Sequence, residues 1–342
     1  MTNTKDKQAH QRKDAHLDLA KQPAAQAQIP HPLDDIRLTH HALPDTDLDA
    51  IDLSTRFLGH LCDAPFFIGA MTGGTDRADR INQALAEVAQ SHNIALALGS
   101  QRAGLSIGRS QAHLRKIAPH IPLIGNLGIT QLASKDGMSL AQKAIDDIEA
   151  TAIAIHLNPL QEAAQIEGDH DWRNCKSALS DFIAAAPVPV MVKEVGAGIS
   201  ASCAAELNSM GAAYIDIAGL GGTNWTRIET ARYDDKGLFD PFLDWGISLP
   251  DALRDVRATL PYAKLIASGG IRHGLDVAKS LAIGADMVCA AGPFLKALEP
   301  SSDAIDQNAL SELITQWQTQ IRLACFLTNS QTCRDLAKNT PN

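Results

Sequence analysis

The sequence has no run of about 18 consecutive apolar residues, the length that a membrane-spanning helix needs. Its N-terminal segment is polar and lacks the apolar core of a secretory signal peptide. Hydrophobic residues make up 45% of the chain and charged residues 20%, which is typical of a globular protein. These absences exclude the membrane-spanning class and predict a cytoplasmic protein.

Cysteine pairs with metal-binding or redox spacing are also missing. No two of the six cysteines form a CxxC pair, so free thiols in a reducing compartment are expected. The six are Cys62, Cys175, Cys203, Cys289, Cys325 and Cys333. An excess of positive charge is missing too, because the net charge is −9. That charge argues against a general nucleic-acid binder, and binding of an anionic ligand then depends on a few local cations.

Aromatic residues are scarce at 4%, whereas short apolar runs rich in Ala, Leu, Ile and Val recur along the chain. Eight such runs lie at 66–71, 94–100, 122–128, 152–158, 188–195, 213–219, 264–270 and 286–292. Segments of helical period separate most of them, for example 80–92, 139–150, 200–210 and 274–283. Ser139 and Ser200 are candidate helix starts. Apolar strands that alternate with helices predict a parallel sheet covered on both faces.

Eight strand–helix units over about 250 residues favour an α/β fold of the (β/α)8 TIM-barrel type. A doubly wound open sheet is the alternative. Residues 1–30 lack periodicity and are predicted to form a mobile N-terminal arm with one helical turn at most. Residues 31–342 then form a single barrel domain. The long gap at about 219–263 predicts an insertion after the sixth strand, which would act as a lid or substrate wall.

Polar residues gather where the apolar runs end. The fourth run, "AIAIHLN", turns polar within a few residues and is followed by Pro159. An ordinary strand-to-helix turn needs one capping group, whereas this one offers His156, Asn158, Gln161 and Glu162. Because a TIM barrel carries its site at the C-terminal ends of the strands, these side chains are predicted to line a site.

The last two strands end in glycine, at Gly269-Gly270 and at Ala291-Gly292. Free backbone amides with a helix start behind them bind anions, and these two loops are the usual phosphate site of the barrel. Plain tight turns are the alternative interpretation. Lys193, at the tip of the fifth run, needs an anionic neighbour. It would stabilise an anionic reduced flavin, unless it forms a structural salt bridge with Glu194 or Asp216.

The strand-end motifs together resemble type 2 isopentenyl-diphosphate isomerase, a family of FMN-dependent (β/α)8 enzymes. The motifs occur in order over about residues 11–295. They are "RKDAH" (12–16), "HHALP" (40–44), "FFIGAMTGGT" (66–75), "ALGSQRA" (97–103), "GNLG" (125–128), "HLNPLQE" (156–162), "VKEVGAGIS" (192–200), "DIAGLGGTNW" (216–225) and "ASGGIRHGLDVAKSLAIGAD" (267–286). "SGGIR" and "GAD" are shared by many FMN barrels, whereas "HLNPLQE" with the N-terminal "RK" is specific to this family.

The resemblance implies a role in isoprenoid biosynthesis, in which isopentenyl and dimethylallyl diphosphate are interconverted by a 1,3-allylic proton shift. It implies reduced FMN, NADPH as reductant, Mg²⁺, and a homo-oligomer that is a tetramer or an octamer. The implied catalytic residues are Gln161, His156, Glu229 and Trp225. The implied substrate-binding residues are Arg12, Lys13, Arg102, His156, Asn158 and Gln161, and Glu162 is the implied Mg²⁺ ligand. The implied FMN-binding residues are Ala70, Met71, Thr72, Ser100, Asn126, Lys193, Thr223, Gly269, Gly270, Ala291 and Gly292.

Structural interpretations remain open for several of these residues. His156 and Met71 are also compatible with core packing, and Glu162 with a first-turn carboxylate that complements a helix dipole. Arg12 and Lys13 are compatible with a solvated tail. At the level of function, the alternatives are an FMN-dependent hydroxyacid oxidase or dehydrogenase and a non-catalytic flavin-binding sensor. The oxidase alternative is weakened because no His-Gly pair follows the sixth strand, which ends in "AGLGGTNW".

Overall fold

The computed structural model describes residues 13–233, 236–301 and 304–338. A two-stranded hairpin comes first, formed by β1 (Thr55–Phe57) and β2 (His60–Cys62). Eight parallel strands then close into a barrel, in the order β10-β3-β4-β5-β6-β7-β8-β9. They are β3 (Phe66–Ile68), β4 (Leu96–Ala97), β5 (Leu123–Gly128), β6 (Ala152–His156), β7 (Val190–Lys193), β8 (Tyr214–Asp216), β9 (Leu265–Ala267) and β10 (Met287–Ala290). Each strand lies inside one of the eight predicted runs, so the TIM-barrel prediction is confirmed.

Helices cover the outer face of the barrel. Residues 13–20 form α1, so the prediction of a single helical turn in the N-terminal arm is wrong, because this helix has eight residues. The others are α2 (Asp76–Ser91), α3 (Arg102–Ser106), α4 (His113–Ile117), α5 (Ile129–Leu132), α6 (Gly137–Asp147), α7 (Pro159–Ala164), α8 (Cys175–Ala185), α9 (Ala201–Ser209), α10 (Trp225–Thr230), α11 (Leu249–Thr259), α12 (Gly274–Ala282), α13 (Gly292–Leu298) and α14 (Gln307–Leu327). Short 3-10 helices lie at Pro23–Ala25, Pro32–Asp35, Leu48–Ala50, Asp240–Phe242 and Cys333–Lys338.

The predicted helix starts differ in outcome. Ser200 caps α9, since its hydroxyl accepts a hydrogen bond from the backbone N–H of Cys203 at 3.2 Å. The prediction for Ser139 is wrong, because α6 already begins at Gly137. The backbone of Gly137 packs against the turn after α5, where an added Cβ would meet the carbonyl of Leu132. A close backbone approach therefore decides where α6 begins, and a capping serine does not.

Side chains alternate between the two faces of each strand. The outward residues, such as Ile68, Leu96 and Ile153, join the core beneath the helices. The inward residues fill the barrel with small side chains from β4 and β6 and with large ones from the neighbouring strands β3 and β7, including Phe67 and Met191. The hairpin closes the N-terminal end, where Phe57 stacks on Phe67 with ring centroids 5.1 Å apart. The barrel interior is therefore packed below, and any site lies at the C-terminal mouth.

The segment after β8 contains α10, the 3-10 helix Asp240–Phe242 and α11 before β9 begins. Its glycine loop is bound by the N-terminal segment: the backbone N–H of Asn224 donates to the carbonyl of Ala25, and that of Ala27 to the carbonyl of Gly222, both at 2.8 Å. Leu17 on α1 is buried in the core. Residues 13–27 therefore lie across the barrel mouth beside α10.

All six cysteines carry free thiols, as expected from their spacing. Within the described ranges, no helix combines the length and the apolar character that are needed to cross a bilayer.

Candidate active site

A layer of polar side chains lines the mouth of the barrel. His156, Lys193 and Asp216 end three consecutive strands and are paired in register, so that all three face the same way, above the inward residues Ala154, Met191 and Tyr214. Asn126, on β5, belongs to the same polar layer: its Oδ1 accepts a hydrogen bond from Nδ1 of His156 at 2.8 Å. The predicted gathering of polar groups at the strand ends is thus present in the geometry.

His156 is held as a neutral imidazole. Burial is the main cause, and the charges of Lys193, Arg102 and Lys13 add to it; together they lower its pKa from 6.5 to about 3. Because Asn126 Oδ1 can only accept, the proton lies on Nδ1, and Nε2 is left as an acceptor at the mouth. His156 therefore accepts or donates hydrogen bonds near neutral pH and does not act as an imidazolium acid.

This pKa makes a prediction about stability. A histidine whose folded pKa lies below its unfolded value stabilises the fold above about pH 6.5, and that contribution is lost as the pH falls towards 3. Between pH 7 and 5 we expect the FMN-free protein to lose about 1–2 kcal/mol through His156, and a His156→Gln variant to lack that loss. Urea unfolding at the two pH values measures it. His120→Gln, an exposed site, is the control, and equal pH dependence in all three proteins would contradict the assignment.

Lys193 points into the mouth without a carboxylate partner. Its Nζ donates to the backbone carbonyl of Glu194 at 2.5 Å, and it forms no ion pair with Glu194 or Asp216, both of which are described. The Glu194 carboxylate instead accepts hydrogen bonds from the loop amides of Val195 and Gly196. The structure therefore shows no ion pair of Lys193 with either carboxylate, although its charge acts on both of them through space.

A second polar group lies on the first turn of α7. Asn158 Nδ2 donates to Gln161 Oε1 at 3.2 Å and to Glu162 Oε1 at 3.0 Å, while the backbone N–H of Asp169 donates to Glu162 Oε2 at 2.8 Å. Asn158 begins the helix but does not cap it, and its Oδ1 is buried without a hydrogen-bond partner. An acceptor buried in this way is costly unless a ligand donor or a cation meets it.

Gln161 connects α7 to α10. Its Nε2 donates to Oε1 of Glu229 at 2.9 Å across 68 residues of sequence, and Arg232 binds the other oxygen of Glu229. Burial favours the neutral acid, but the contacts from His16, Gln161 and Arg232 outweigh it and lower the pKa of Glu229. Glu229, which is fully buried, is therefore an ionised carboxylate whose two oxygens both accept hydrogen bonds.

The helix α1 contributes to the same site. Nε2 of His16 lies 3.2 Å from Oε1 of Glu229, a charge contact when the ring is protonated, and the ring packs edge-on against Trp225 at 5.4 Å. Lys13 donates to the backbone carbonyls of Gly73 and Ser100 in the loops after β3 and β4. The cationic end of α1 therefore already lies at the mouth. Arg12 is outside the described residues.

A pocket opens between α7, α10 and the loop after β7. Gln161, Trp225, Asn224 and Glu194 line it together with the exposed Trp245. Leu160 and Leu220 add apolar surface. Among the described residues, no group of three or more His, Cys, Asp or Glu side chains is arranged to hold a metal ion, so Glu162 would need ligand oxygens to complete a cation site.

The glycine loops after β8 and β9 touch each other. Gly270 has φ +81°, and a Cβ there would lie 2.4 Å from the carbonyl of Gly221. Gly292 opens α13 beside Ala291, which provides no capping side chain, and the space above Gly292 is open. Thr223 ends the glycine loop after β8 and forms an isolated antiparallel β-bridge with Gln26. Uncapped amides beside open space fit a phosphate group.

The remaining predicted residues are spread around the mouth. Thr72 is buried, and the loop that carries it passes close to Gly99, where a Cβ would meet the Thr72 backbone at 2.5 Å. Ala70 and Met71 are partly buried, and Met71 packs against the main core without lining the pocket. Arg102 begins α3, near enough for its charge to act on His156. The sequence did not indicate roles for Ser268 or Trp245, and it indicated Asp216 only as a candidate salt-bridge partner of Lys193. His16 was part of the motif "RKDAH", one helical turn after Lys13, but received no role of its own.

This fold and this mouth define a class of flavin-binding (β/α)8 enzymes. A family model for FMN-dependent dehydrogenases matches residues 131–340, more than half of the chain. A mandelate oxidase variant with (S)-mandelic acid superimposes with a TM-score of 0.65 at 15% identity, over 98% of this chain and 96% of that chain. A second, with a monooxide FMN adduct, has a TM-score of 0.63 at 16% identity, over 95% and 90%. At such identities the likeness shows the fold alone.

Relatives of known name match far more closely in sequence. The isopentenyl-diphosphate delta-isomerase of Xanthobacter autotrophicus is 44% identical over 328 residues, which are 94% of each chain. That of Cronobacter sakazakii is 43% identical over 333 residues, covering 95% of this chain and 94% of the relative. That of Halobacterium salinarum is 41% identical over 347 residues, covering 98% and 94%. The chain belongs to the isopentenyl-diphosphate delta-isomerase family, as its motifs indicated.

Proposed function

We propose that this chain interconverts isopentenyl diphosphate and dimethylallyl diphosphate with reduced FMN, as an isomerase of isoprenoid biosynthesis. The observation that carries the proposal is the hydrogen bond between Gln161 and the ionised Glu229, beside a partly apolar pocket at the mouth of a flavin-type barrel. The names of the relatives at 41–44% identity support the substrate.

The reaction adds a proton at one carbon of the allylic unit and removes another two bonds away. We assign proton acceptance to Glu229 because it is an ionised, buried carboxylate bound to the pocket-lining Gln161, with its second oxygen fixed by Arg232. Gln161 orients the Glu229 carboxylate, and Trp225 forms part of a wall that excludes water from the alkene. Bound and reduced, FMN would supply the electron-rich ring that helps to move these protons.

Two groups of residues at the mouth would hold FMN, one at its phosphate and one at its ring. Gly269, Gly270, Ala291 and Gly292, with Thr223 beside them, would bind the phosphate through backbone amides. Ala70, Met71, Thr72 and Ser100 would lie along the ring, with Asn126 and Lys193 at the polar layer. NADPH is the proposed reductant, and because the isomerisation is redox-neutral, the reduced flavin is not consumed.

The diphosphate would meet cations and a hard metal ion. Lys13 and Arg102 are close to the mouth, and Arg12 precedes Lys13 in sequence. Mg²⁺ prefers carboxylate, phosphate and water oxygens, so Glu162 with diphosphate oxygens would hold it. The orphaned Oδ1 of Asn158, next to Glu162, supports a ligand at this position, and His156 lies at the same mouth.

Product analysis tests the proposal. FMN-loaded protein is incubated anaerobically with isopentenyl diphosphate, Mg²⁺ and NADPH, and both dimethylallyl diphosphate and oxidised NADPH are counted. We expect many product molecules per NADPH. One NADPH per product would point to the oxidoreductase alternative, and FMN binding without turnover to the sensor. The hydroxyacid oxidase alternative also lacks a histidine after β8, where Ala218 and Gly219 stand.

A second expected result concerns Glu162. Glu162→Gln keeps the side-chain shape and the hydrogen bond to Asn158 but removes the charge, so the Mg²⁺ concentration for half-maximal activity should rise at least tenfold while FMN stays bound. A Mg²⁺ titration of initial rates measures it. Glu206→Gln, an exposed carboxylate on α9, is the matched control. If the variant keeps the wild-type Mg²⁺ dependence, the helix-dipole interpretation of Glu162 is correct.

The arrangement of the whole molecule is part of the proposal. We propose a cytoplasmic homo-oligomer, a tetramer or an octamer, in which the N-terminal segment covers the substrate, with residues 13–27 packed across the mouth, and the segment at about 219–263 forms a wall of the site. The exposed apolar side chains of Leu238, Phe242 and Trp245 on that segment supply surface that a substrate or a second subunit would cover.

A further inference from the structure

Asp216 is a buried carboxylate in the polar layer to which the proposed chemistry gives no role. It ends β8 with 1% of its surface exposed and is the in-register neighbour of Lys193 on β7. The hydroxyl of Ser268, from the end of β9, donates to Asp216 Oδ1 at 2.5 Å. The structure thus places a buried carboxyl group beside Lys193, the lysine at the end of β7.

The environment of Asp216 acts on its charge in two directions. Burial has the largest effect and raises the pKa of Asp216, while the Lys193 ammonium, the Ser268 hydroxyl and the Ala218 amide partly offset it and favour the carboxylate. The next residues are fixed as well: Ala218 has φ +43°, and its carbonyl accepts from the backbone N–H of Gly198 at 2.9 Å. A carboxylate without any of these neighbours would be too costly at this depth.

Asp216 and Lys193 do not form an ion pair, because the Lys193 ammonium is turned to the carbonyl of Glu194. The two charges therefore act on each other through space, in a layer shielded from water, where such interactions are screened only weakly. The charge of Asp216 also reaches the thiol of Cys289 on β10, on the far side of the layer. A ring bound over this layer feels both the cation and the anion.

We propose that Asp216 is the counter-charge of Lys193 and that it limits how strongly the barrel favours the reduced over the oxidised flavin. This inference rests on the proposed function for the identity of the cofactor. Lys193 alone would stabilise an anionic reduced ring and so make it a poorer proton acceptor. The in-register carboxylate offsets that effect and keeps the ring basic enough for proton transfer. Asp216 is a positioning residue in this sense, since it acts on the ring together with Lys193 and touches no substrate.

The test is the midpoint potential of bound FMN, measured without substrate by reductive titration against a reference dye. Asp216→Asn keeps an oxygen for Ser268 and removes the charge. We expect the affinity ratio of reduced to oxidised FMN to rise about tenfold, which is a shift of about +30 mV for a two-electron couple. Lys193→Met should shift the potential in the negative direction. Asp181→Asn, an exposed site on α8 with the same charge change, is the control and should not shift it.

The outcomes distinguish the counter-charge proposal for Asp216 from the proposed isomerase function. If Asp216→Asn binds FMN with the wild-type potential, the counter-charge proposal is overturned, even where isomerase activity is present. If the wild type binds FMN but does not isomerise, and Asp216→Asn still shifts the potential upward, the proposal stands and the proposed function falls. Wild-type protein that does not bind FMN overturns both. If Asp216→Asn does not fold, Asp216→Ser carries the same expected shift.

Discussion

We expect the Glu229→Gln variant to lose about two to four decades in kcat, the usual contribution of a general acid or base. The change keeps the shape and an oxygen for Gln161, but a carboxamide cannot accept a proton. We proposed this role for Glu229 because it is a fully buried, ionised carboxylate whose Oε1 is bound by Gln161 at the pocket. Single-turnover isomerisation on reduced enzyme measures the loss directly.

The chain offers a closely matched control for this variant. Glu167 binds the same guanidinium, Arg232, at 2.9 Å but is 43% exposed and does not contact Gln161. Glu167→Gln removes the same charge from Arg232 and should keep kcat within a few fold. FMN absorbance and the melting temperature check that both variants are folded. Equal losses in the two variants would mean that Arg232 matters through structure alone, and wild-type kcat in Glu229→Gln would assign proton transfer to another group.

The barrel itself was predictable because its signal is local. Each buried parallel strand needs an apolar run, and the eight runs contain the eight strands. The strands are shorter than the runs, down to two residues in β4, because the ends of the runs become loops that carry ligand groups. The hairpin of β1 and β2 escaped prediction since three-residue strands show no periodicity. The helix α14 was also missed, although Leu310, Ile314, Trp317 and Ile321 form a buried stripe of helical spacing.

The candidate site was predictable in its membership but not in its pairings. Polar residues at strand ends are visible in sequence, and so His156, Lys193 and Glu162 were found. Which of them meet is decided by the closure of the barrel, which brings Glu229 on α10 to Gln161 on α7. The in-register position of Asp216 beside Lys193 depends on the strand stagger, and no sequence pattern contains it.

The arm motif leads to the second large effect, which we expect in an Arg12→Ala, Lys13→Ala double variant. Two charge-assisted bonds to phosphate, at roughly 1.5–3 kcal/mol each, correspond to about two to four decades in kcat/KM at 1.4 kcal/mol per decade. Ordering of the arm has an entropic cost, which favours the lower figure. The loss should appear mainly in KM, because the reacting groups on α7 and α10 are untouched.

The structure sharpens this expectation for Lys13. Its ammonium donates hydrogen bonds to the carbonyls of Gly73 and Ser100, in the loops after β3 and β4. Little further ordering is then needed for Lys13 itself, so Lys13→Ala alone should cost at least one decade in kcat/KM.

The control is a Lys135→Ala, Lys143→Ala double variant. Both lysines are exposed on and beside α6, and their removal gives the protein the same net charge as the arm variant. It should keep wild-type kinetics, which separates contact with the diphosphate from long-range attraction to an acidic protein. Unchanged kcat/KM in the arm variant, with FMN bound, would show that the basic residues form only a solvated tail, and the diphosphate would then have to be bound by Arg102 and the metal ion alone.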